Sequence, residues 1–226
     1  MPYESTINFT LDTICPWTYL AKRRLAKALA QIPQDTTSTT FTVKYLPYQL
    51  YPSASQTGED KYAWYKKSRY GDSAEKMKVY ETLMTAYGIG EGIDYKFTGT
   101  VANTIHAHRC IYVFQEKYGP EVVDKFVDSL YRQFFEEEKH PSSHDTLLAA
   151  AREAGIEDGE ARRVIVEDED EGLMDTKMLI REQAGNAIDS VPYIVIDGKR
   201  RDVTLQGCRE VPEYVKALEQ VVKENS

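Results

Sequence analysis

The residue best placed to do chemistry is Cys15, in the run Asp12-Thr13-Ile14-Cys15-Pro16-Trp17-Thr18. Apolar residues alternate before it (Ile7, Phe9, Leu11), the signature of a half-buried strand. After it, Trp17, Leu20, Ala21, Leu25, Ala28, Leu29 and Ile32 recur at helical spacing. Cys15 therefore stands where a strand hands over to a helix, and Pro16 takes a first-turn position where its missing N–H costs nothing. A thiol there meets unpaired backbone N–H groups and the positive end of a helix dipole. Both favour the thiolate, the form that attacks disulfides and electrophilic carbon. Three places on stands Thr18, whose hydroxyl can be offered to that charge.

The chain has two further cysteines and four histidines. Cys110 falls among Ile111, Tyr112 and Phe114 on a helical stretch and reads as a buried structural thiol. Cys208 follows Gly207, after the last predicted strand. His106 and His108, two apart on a helix, point in roughly opposite directions and are not expected to grip one metal. His140 and His144 straddle Pro141 and read as surface residues. No metal is expected. The aromatic and cationic stretch Tyr62 to Tyr70 (with Trp64, Tyr65, Lys66, Lys67 and Arg69), taken with Trp17 and Tyr48, reads either as the wall of an apolar substrate pocket or as packing between subdomains.

The elements that must position Cys15 come from both ends of the chain. Phe41 to Tyr45 alternates as a second strand after a Thr-rich loop over 33–40. From about 61 to 186 the pattern is almost wholly helical. Met77, Tyr80, Met84 and Tyr87 predict a helix that stops at Gly88, and a helix capped by Asn103 or Thr104 runs to Tyr118. Val123, Phe126, Val127, Leu130 and Phe134 mark another helix, and shorter ones follow over 145–154, 160–166 and 172–184. The acidic run Glu167 to Glu171 reads as a solvated helix entry. Tyr193 to Ile196 is a short buried-strand run, Asp197-Gly198 is a hairpin signal, residues 201–206 are the returning strand, and Pro212 opens a final helix. The two ends must pair into one sheet, with the helical block inserted between them.

A formal net charge of −8 argues against a nucleic-acid or anionic-membrane partner. No apolar stretch approaches the roughly 20 residues that span a bilayer, and Met1 to Glu4 opens no secretory signal. Three widely spaced cysteines make no disulfide framework. A cytoplasmic protein is the expectation.

The order of elements, with Cys-Pro-Trp after the first strand and Val191-Pro192 before the third, resembles the thioredoxin superfamily. Within it the chain resembles the branch with a helical insertion: DsbA and FrnE-like proteins, kappa-class glutathione transferases and 2-hydroxychromene-2-carboxylate isomerases. The resemblance is carried by the segment from Asp12 to Ala21, by Asn103-Thr104-Ile105-His106-Ala107-His108-Arg109, and by the segment from Val191 to Gly198. It implies an α/β thioredoxin fold with a large all-helical insertion between the second and third strands. Residues 1–56 and 187–226 would form the thioredoxin-like domain and 57–186 the helical subdomain. It also implies that Pro192 is cis and faces Cys15. A bound thiol-bearing peptide or glutathione would pair with the backbone before that proline like an added strand. Cys15, Pro16, Trp17 and Thr18 would then be the catalytic motif. Asn103, His108, Arg109, Val191, Pro192, Gly207 and Cys208 would bind substrate or glutathione, Arg109 through a carboxylate or instead in a structural salt bridge.

Three departures from the family pattern matter. Thr18 stands where FrnE-like proteins carry a second cysteine, so an internal attack that resolves a mixed disulfide is lost. Cys208 stands where the family commonly has alanine, and reads either as a displaced resolver or as a small residue under the last helix. Ser190 replaces a common glycine and would narrow the groove. Three functions stay open. The first is a DsbA/FrnE-like thiol oxidoreductase or transferase using Cys15 and glutathione on a small electrophilic or disulfide substrate. The second is a glutathione-dependent isomerase of an unsaturated polyketide-like or aromatic metabolite, in keeping with secondary metabolism. The third is a noncatalytic thioredoxin-fold binding module. A small-molecule substrate and glutathione are the expected partners; the resemblance to glutathione-using relatives, often dimers, implies a homodimer as one assembly, and the residues themselves leave the oligomeric state open.

Overall fold

Strand β1 (Tyr3–Leu11) is the centre of the structure because its alternating apolar residues have both neighbours and both faces covered. Ile7, Phe9 and Leu11 are fully buried, worth about 1.5–3 kcal/mol each relative to exposure. The computed structural model describes residues 3–33 and 39–224; of the Thr-rich loop expected over 33–40, residues 34–38 lie outside the described residues. Helix α1 (Pro16–Leu29) returns the chain to β2 (Thr39–Pro47), which pairs parallel to β1 with Ile7 opposite Val43. The outer edge of β2 is covered at Tyr45, whose N–H and carbonyl both bond the Gln115 side-chain amide at 2.8 and 3.1 Å.

The insertion follows. A two-residue strand β3 (Glu59–Asp60) leads into α2 (Lys61–Tyr70) and α3 (Ala74–Glu91), and β4 (Thr100–Val101) pairs back onto β3. Then come α4 (Ile105–Tyr118), α5 (Pro120–Phe135), α6 (His144–Ala154), α7 (Asp158–Arg162) with a π-helical turn over Arg163–Glu167, and α8 (Leu173–Gly185). The chain closes with β5 (Tyr193–Ile196), β6 (Val203–Gln206) and α9 (Val211–Glu224). The sheet order is β2-β1-β5-β6, with β5 antiparallel to both neighbours, so the two ends of the chain do share one sheet and the helices lie between them in sequence. This is the thioredoxin-like α/β arrangement with a helical insertion.

Two local expectations are corrected. Helix α3 does not stop at Gly88 but runs to Glu91 and ends at Gly92, whose φ of 72° supplies the left-handed cap. Gly88 serves packing: a Cβ there would stand 2.6 Å from the Ile93 carbonyl oxygen and 2.7 Å from the Tyr95 ring. Asp197-Gly198 does not form a tight hairpin turn either. Ile196 and Val203 bound a longer loop, in which the Gly198 N–H is held by the Asp202 carboxylate at 3.2 Å.

Candidate active site

Sheet pairing brings the two halves of the site together. Thr10 on β1 lies opposite Tyr193 on β5, so the chain leaving β1 and the chain entering β5 meet at one end of the sheet. That end is also the carboxyl end of the parallel pair β1–β2, the usual place for a ligand crevice in such sheets. Cys15 caps α1 in an extended conformation and its N–H bonds the Asp12 carbonyl at 3.0 Å. Across from it the Val191–Pro192 peptide bond is cis, and the Cys15 thiol points at the Val191 carbonyl oxygen at 3.7 Å. Gly207, at φ 77°, closes the far side by donating its N–H to the Pro192 carbonyl at 2.9 Å. Two phenols from the insertion pin the cysteine loop: Tyr65 donates to the Ile14 carbonyl at 3.1 Å and Tyr95 to the Pro16 carbonyl at 2.8 Å.

Thr18 is fully buried, and its hydroxyl is already engaged. It has the Asp12 and Cys15 carbonyls as acceptors at 2.9 and 2.7 Å and accepts from the Tyr131 phenol at 2.8 Å. Thr18 nevertheless lies against the sulfur, where its backbone N–H and, more weakly, its hydroxyl favour the thiolate. Behind them Asp12 is fully buried; its two oxygens meet the Leu50 N–H at 2.7 Å and His108 Nε2 at 3.3 Å.

The expectation of a resting thiolate is overturned. Cys15 is only 4% exposed, and burial pushes its pKa up to about 11. The Thr18 and Trp17 N–H groups pull the other way, as a helix N-terminus should, but desolvation outweighs them and the Asp12 carboxylate adds to it. The sulfur is held as a thiol aimed at a carbonyl.

Cys15, Pro16 and Trp17 form one end of a cleft of about 460 Å³, and Ser190 and Val191 form its rim. Its wall is Tyr51, Tyr65, Tyr70 and Tyr80, with Arg69 and Asp189 as its charges. Of the aromatics singled out in the sequence, Trp17, Tyr65 and Tyr70 line this space. Trp64 packs edge-on against Tyr51 behind it (ring centroids 4.2 Å apart), and Tyr48 donates to the Asp189 carbonyl at 2.9 Å. Tyr62 is not part of the lining. The sequence did not mark Tyr51 and Tyr80 as site residues: the first stands just before Pro52 outside any periodic run, and the second has a helical spacing that reads as core. A larger depression of about 550 Å³ lies against α1, β2 and α5 and does not include Cys15.

Four residues expected to bind substrate or glutathione stand elsewhere. Arg109 is fully buried and donates through Nη1 to the carbonyls of Val164, Asp168 and Glu171 at 2.9–3.2 Å, tying α4 to the π-helical turn and the acidic segment. Among the described residues it has no carboxylate partner, and it is not part of the cleft lining, because its side chain is buried inside the insertion. Asn103 knots the segment after β2, donating to the Pro52 carbonyl and accepting from Gln49 and from the Ile105 N–H, each at 2.9 Å. His108 faces Asp12 behind the cysteine loop rather than the cleft. Cys208 turns away beneath Arg24, 3.7 Å from its Nη1, and is not among the cleft residues. All three cysteines are unpaired, and burial raises Cys110 to about 12 and Cys208 to about 11, the latter against the pull of Arg24.

Among the described residues no group of three or more histidines, cysteines or carboxylates could hold a metal ion. Among them also, no helix is long and apolar enough to cross a membrane.

The architecture is shared with solved structures. A probable DsbA oxidoreductase from Streptomyces coelicolor superposes with a TM-score of 0.83 at 24% identity, over 98% of this chain and 92% of that one. The cytosolic disulfide reductase DsbM from Pseudomonas aeruginosa gives 0.65 at 13% identity (96% and 98% covered), and a 2-hydroxychromene-2-carboxylate isomerase gives 0.66 at 16% (97% and 97%). At these identities the likeness is one of fold. No curated protein matches the sequence. The family model of the DSBA-like thioredoxin domain matches residues 6–219, nearly the whole chain, and the protein belongs to that family.

Proposed function

We propose that the protein is a DsbA-like thiol enzyme that works through one nucleophilic sulfur, Cys15, with glutathione completing turnover on a small disulfide or electrophilic substrate. The observation that carries this reading is the Cys15 thiol facing the Val191 carbonyl beside cis Pro192, with Thr18 where a resolving thiol would stand. A bound thiol compound lies along Val191 as an added strand. Cys15 loses its proton to solvent and attacks one sulfur of the substrate disulfide. The S–S bond breaks, the second sulfur leaves as a thiolate, and the first stays in a mixed disulfide with Cys15. A glutathione thiolate attacks the substrate sulfur, forms a substrate–glutathione disulfide and releases the Cys15 thiolate. A second glutathione reduces that product, so one disulfide and two glutathiones yield two thiols and oxidised glutathione. Such a one-thiol cycle suits a reducing compartment such as the cytoplasm. The DsbM fold relative has been solved with glutathione, which supports its use here.

Intact-mass measurement after exposure to oxidised glutathione tests the reading. One adduct is expected, on Cys15, removed by reduced glutathione and absent from Cys15→Ser; a protein that takes no adduct on Cys15 overturns it.

A second reading is favoured by the aromatic wall and by the raised Cys15 pKa. Here glutathione is itself the nucleophile. Its thiolate adds to an unsaturated aromatic metabolite, the weakened double bond rotates, and the thiolate is expelled. Under it, Cys15→Ser retains turnover and removal of glutathione abolishes it.

A further inference from the structure

We infer that the Cys15 cleft takes an aromatic substrate bearing an acidic group, a carboxylate or sulfonate, with its ring among the cleft tyrosines and its acid on Arg69. The inference deepens the single-thiol reading above and rests on it. Four phenols line the cleft; three have rings in series, Tyr65 and Tyr80 at 6.1 Å between centroids and Tyr70 and Tyr80 at 5.2 Å, and Tyr51 reaches Tyr65 through Trp64. Trp17 closes the cysteine end. Such a surface rewards a flat ring by burial and offset stacking.

Among the described residues lining the cleft, Arg69 is the one cation. It is poised rather than consumed. Its guanidinium lies 5.0 Å from the Tyr51 ring centroid and its Nε–H bonds the Tyr51 hydroxyl. Among the described residues it has no carboxylate partner, and its Nη groups have no hydrogen-bond acceptor. A guanidinium stacked on a phenol, with its outer N–H groups open, is prepared for bidentate binding of a planar acid. In a chain of net charge −8 this local cation is what admits an anion. Asp189, the cleft's one carboxylate among the described residues, sits beside Ser190 and Val191 on the rim and repels an acid placed there. The acid therefore goes to the α2 end, leaving the reacting atom toward Cys15.

Two aryl disulfides that differ in charge test this in Cys208→Ala protein, where Cys15 is the reporting thiol. Cys15 attacks the central S–S bond, forms the mixed disulfide and releases one coloured aryl thiolate. With the dianionic dithiobis(nitrobenzoate), Arg69→Gln is expected to slow the reaction about tenfold. With neutral dithiodipyridine the same variant should stay within about twofold, and Arg69→Lys, which keeps the charge, should retain most of the preference. Added salt should narrow the difference. Equal slowing of both probes, or no slowing of either, overturns the assignment.

A readout independent of thiol reactivity uses Cys15→Ser protein. Binding of the nitrobenzoate thiol should quench the emission of Trp17, and Arg69→Gln should abolish the quenching. If Cys15 proves unreactive while this Arg69-dependent binding persists, the catalytic reading falls and the aryl-acid site stands. Binding that ignores Arg69 removes the site.

Discussion

Replacing Thr18 by valine keeps the side-chain shape and removes one hydroxyl from beneath the cysteine loop. The one hydroxyl proton shared by the Asp12 and Cys15 carbonyls disappears, as does the acceptor for Tyr131, and these losses do not cost alike. The Cys15 carbonyl still accepts from the Thr18 and Tyr19 N–H groups at 3.2 and 3.3 Å, and the Asp12 carbonyl still accepts from the Cys15 N–H at 3.0 Å. Only the Tyr131 phenol, fully buried and donating to Thr18 at 2.8 Å, is left with nothing to bond. An orphaned buried donor costs about 1–3 kcal/mol, and for a chain of this size each kcal/mol moves Tm by about 2–4 °C. Thr18→Val should therefore lower Tm by roughly 2–12 °C. Tyr131→Phe alone should cost about 1 kcal/mol, the net worth of one hydrogen bond. Adding Tyr131→Phe to Thr18→Val should recover stability, because the orphan goes with its hydroxyl. Guanidinium unfolding of the four proteins gives the cycle, read at constant m-value. A Thr18→Val protein within about 0.5 kcal/mol of wild type, or a double variant less stable than Thr18→Val, would refute the reasoning.

Other consequences concern the thiol and the insertion. With Cys208 changed to alanine, alkylation of Cys15 should accelerate about tenfold per pH unit from pH 8 toward about 11, because the raised pKa keeps the thiol protonated below that value; a plateau near pH 7 would contradict it. The sign for stability follows. Below the unfolded thiol pKa both states hold the proton, and above it only the folded state does, so this group's contribution is lost as pH rises toward 11. Asp12→Asn removes a negative charge that raises the Cys15 pKa, and should lower it and speed alkylation at pH 8. Arg109→Met leaves three backbone carbonyls without their donor and should destabilise by about 2–4 kcal/mol in denaturant. Its rate of adduct formation with oxidised glutathione should match wild type, as should that of Arg109→Lys; a selective loss would restore Arg109 as a ligand.

Much of the architecture was legible because it is local. The period-2 run from Ile7 to Leu11, the 3.6-residue spacing from Trp17 onward, and the same spacing from Val123 to Phe134 each follow from which side chains must leave water. The thioredoxin-like pairing of the chain's two ends and the helical block between them followed from the order of those elements. Cys15 at the head of α1 was legible too, since Pro16 and the change of period mark the joint. The extent of α3 was not. Glycine usually ends a helix, and only the Ile93 and Tyr95 atoms crowding Gly88 reveal that this one is there for closeness.

The sequence by itself determined that one thiol sits at a strand-to-helix joint with no partner three residues on. Tertiary structure alone decided what that thiol experiences. A helix end favours a thiolate through local N–H groups, but burial outweighs them, and it takes distant parts of the chain to enclose the loop: Tyr65 bonds the Ile14 carbonyl, Tyr131 bonds Thr18, and Val191 faces the sulfur. The direction of Arg109, His108 and Cys208 was likewise beyond any motif, because a motif records residue type whereas packing sets the face a side chain presents. Arg69 shows the converse: its sequence placed it only in an aromatic and cationic stretch, and folding sets its charge over Tyr51 in the Cys15 cleft.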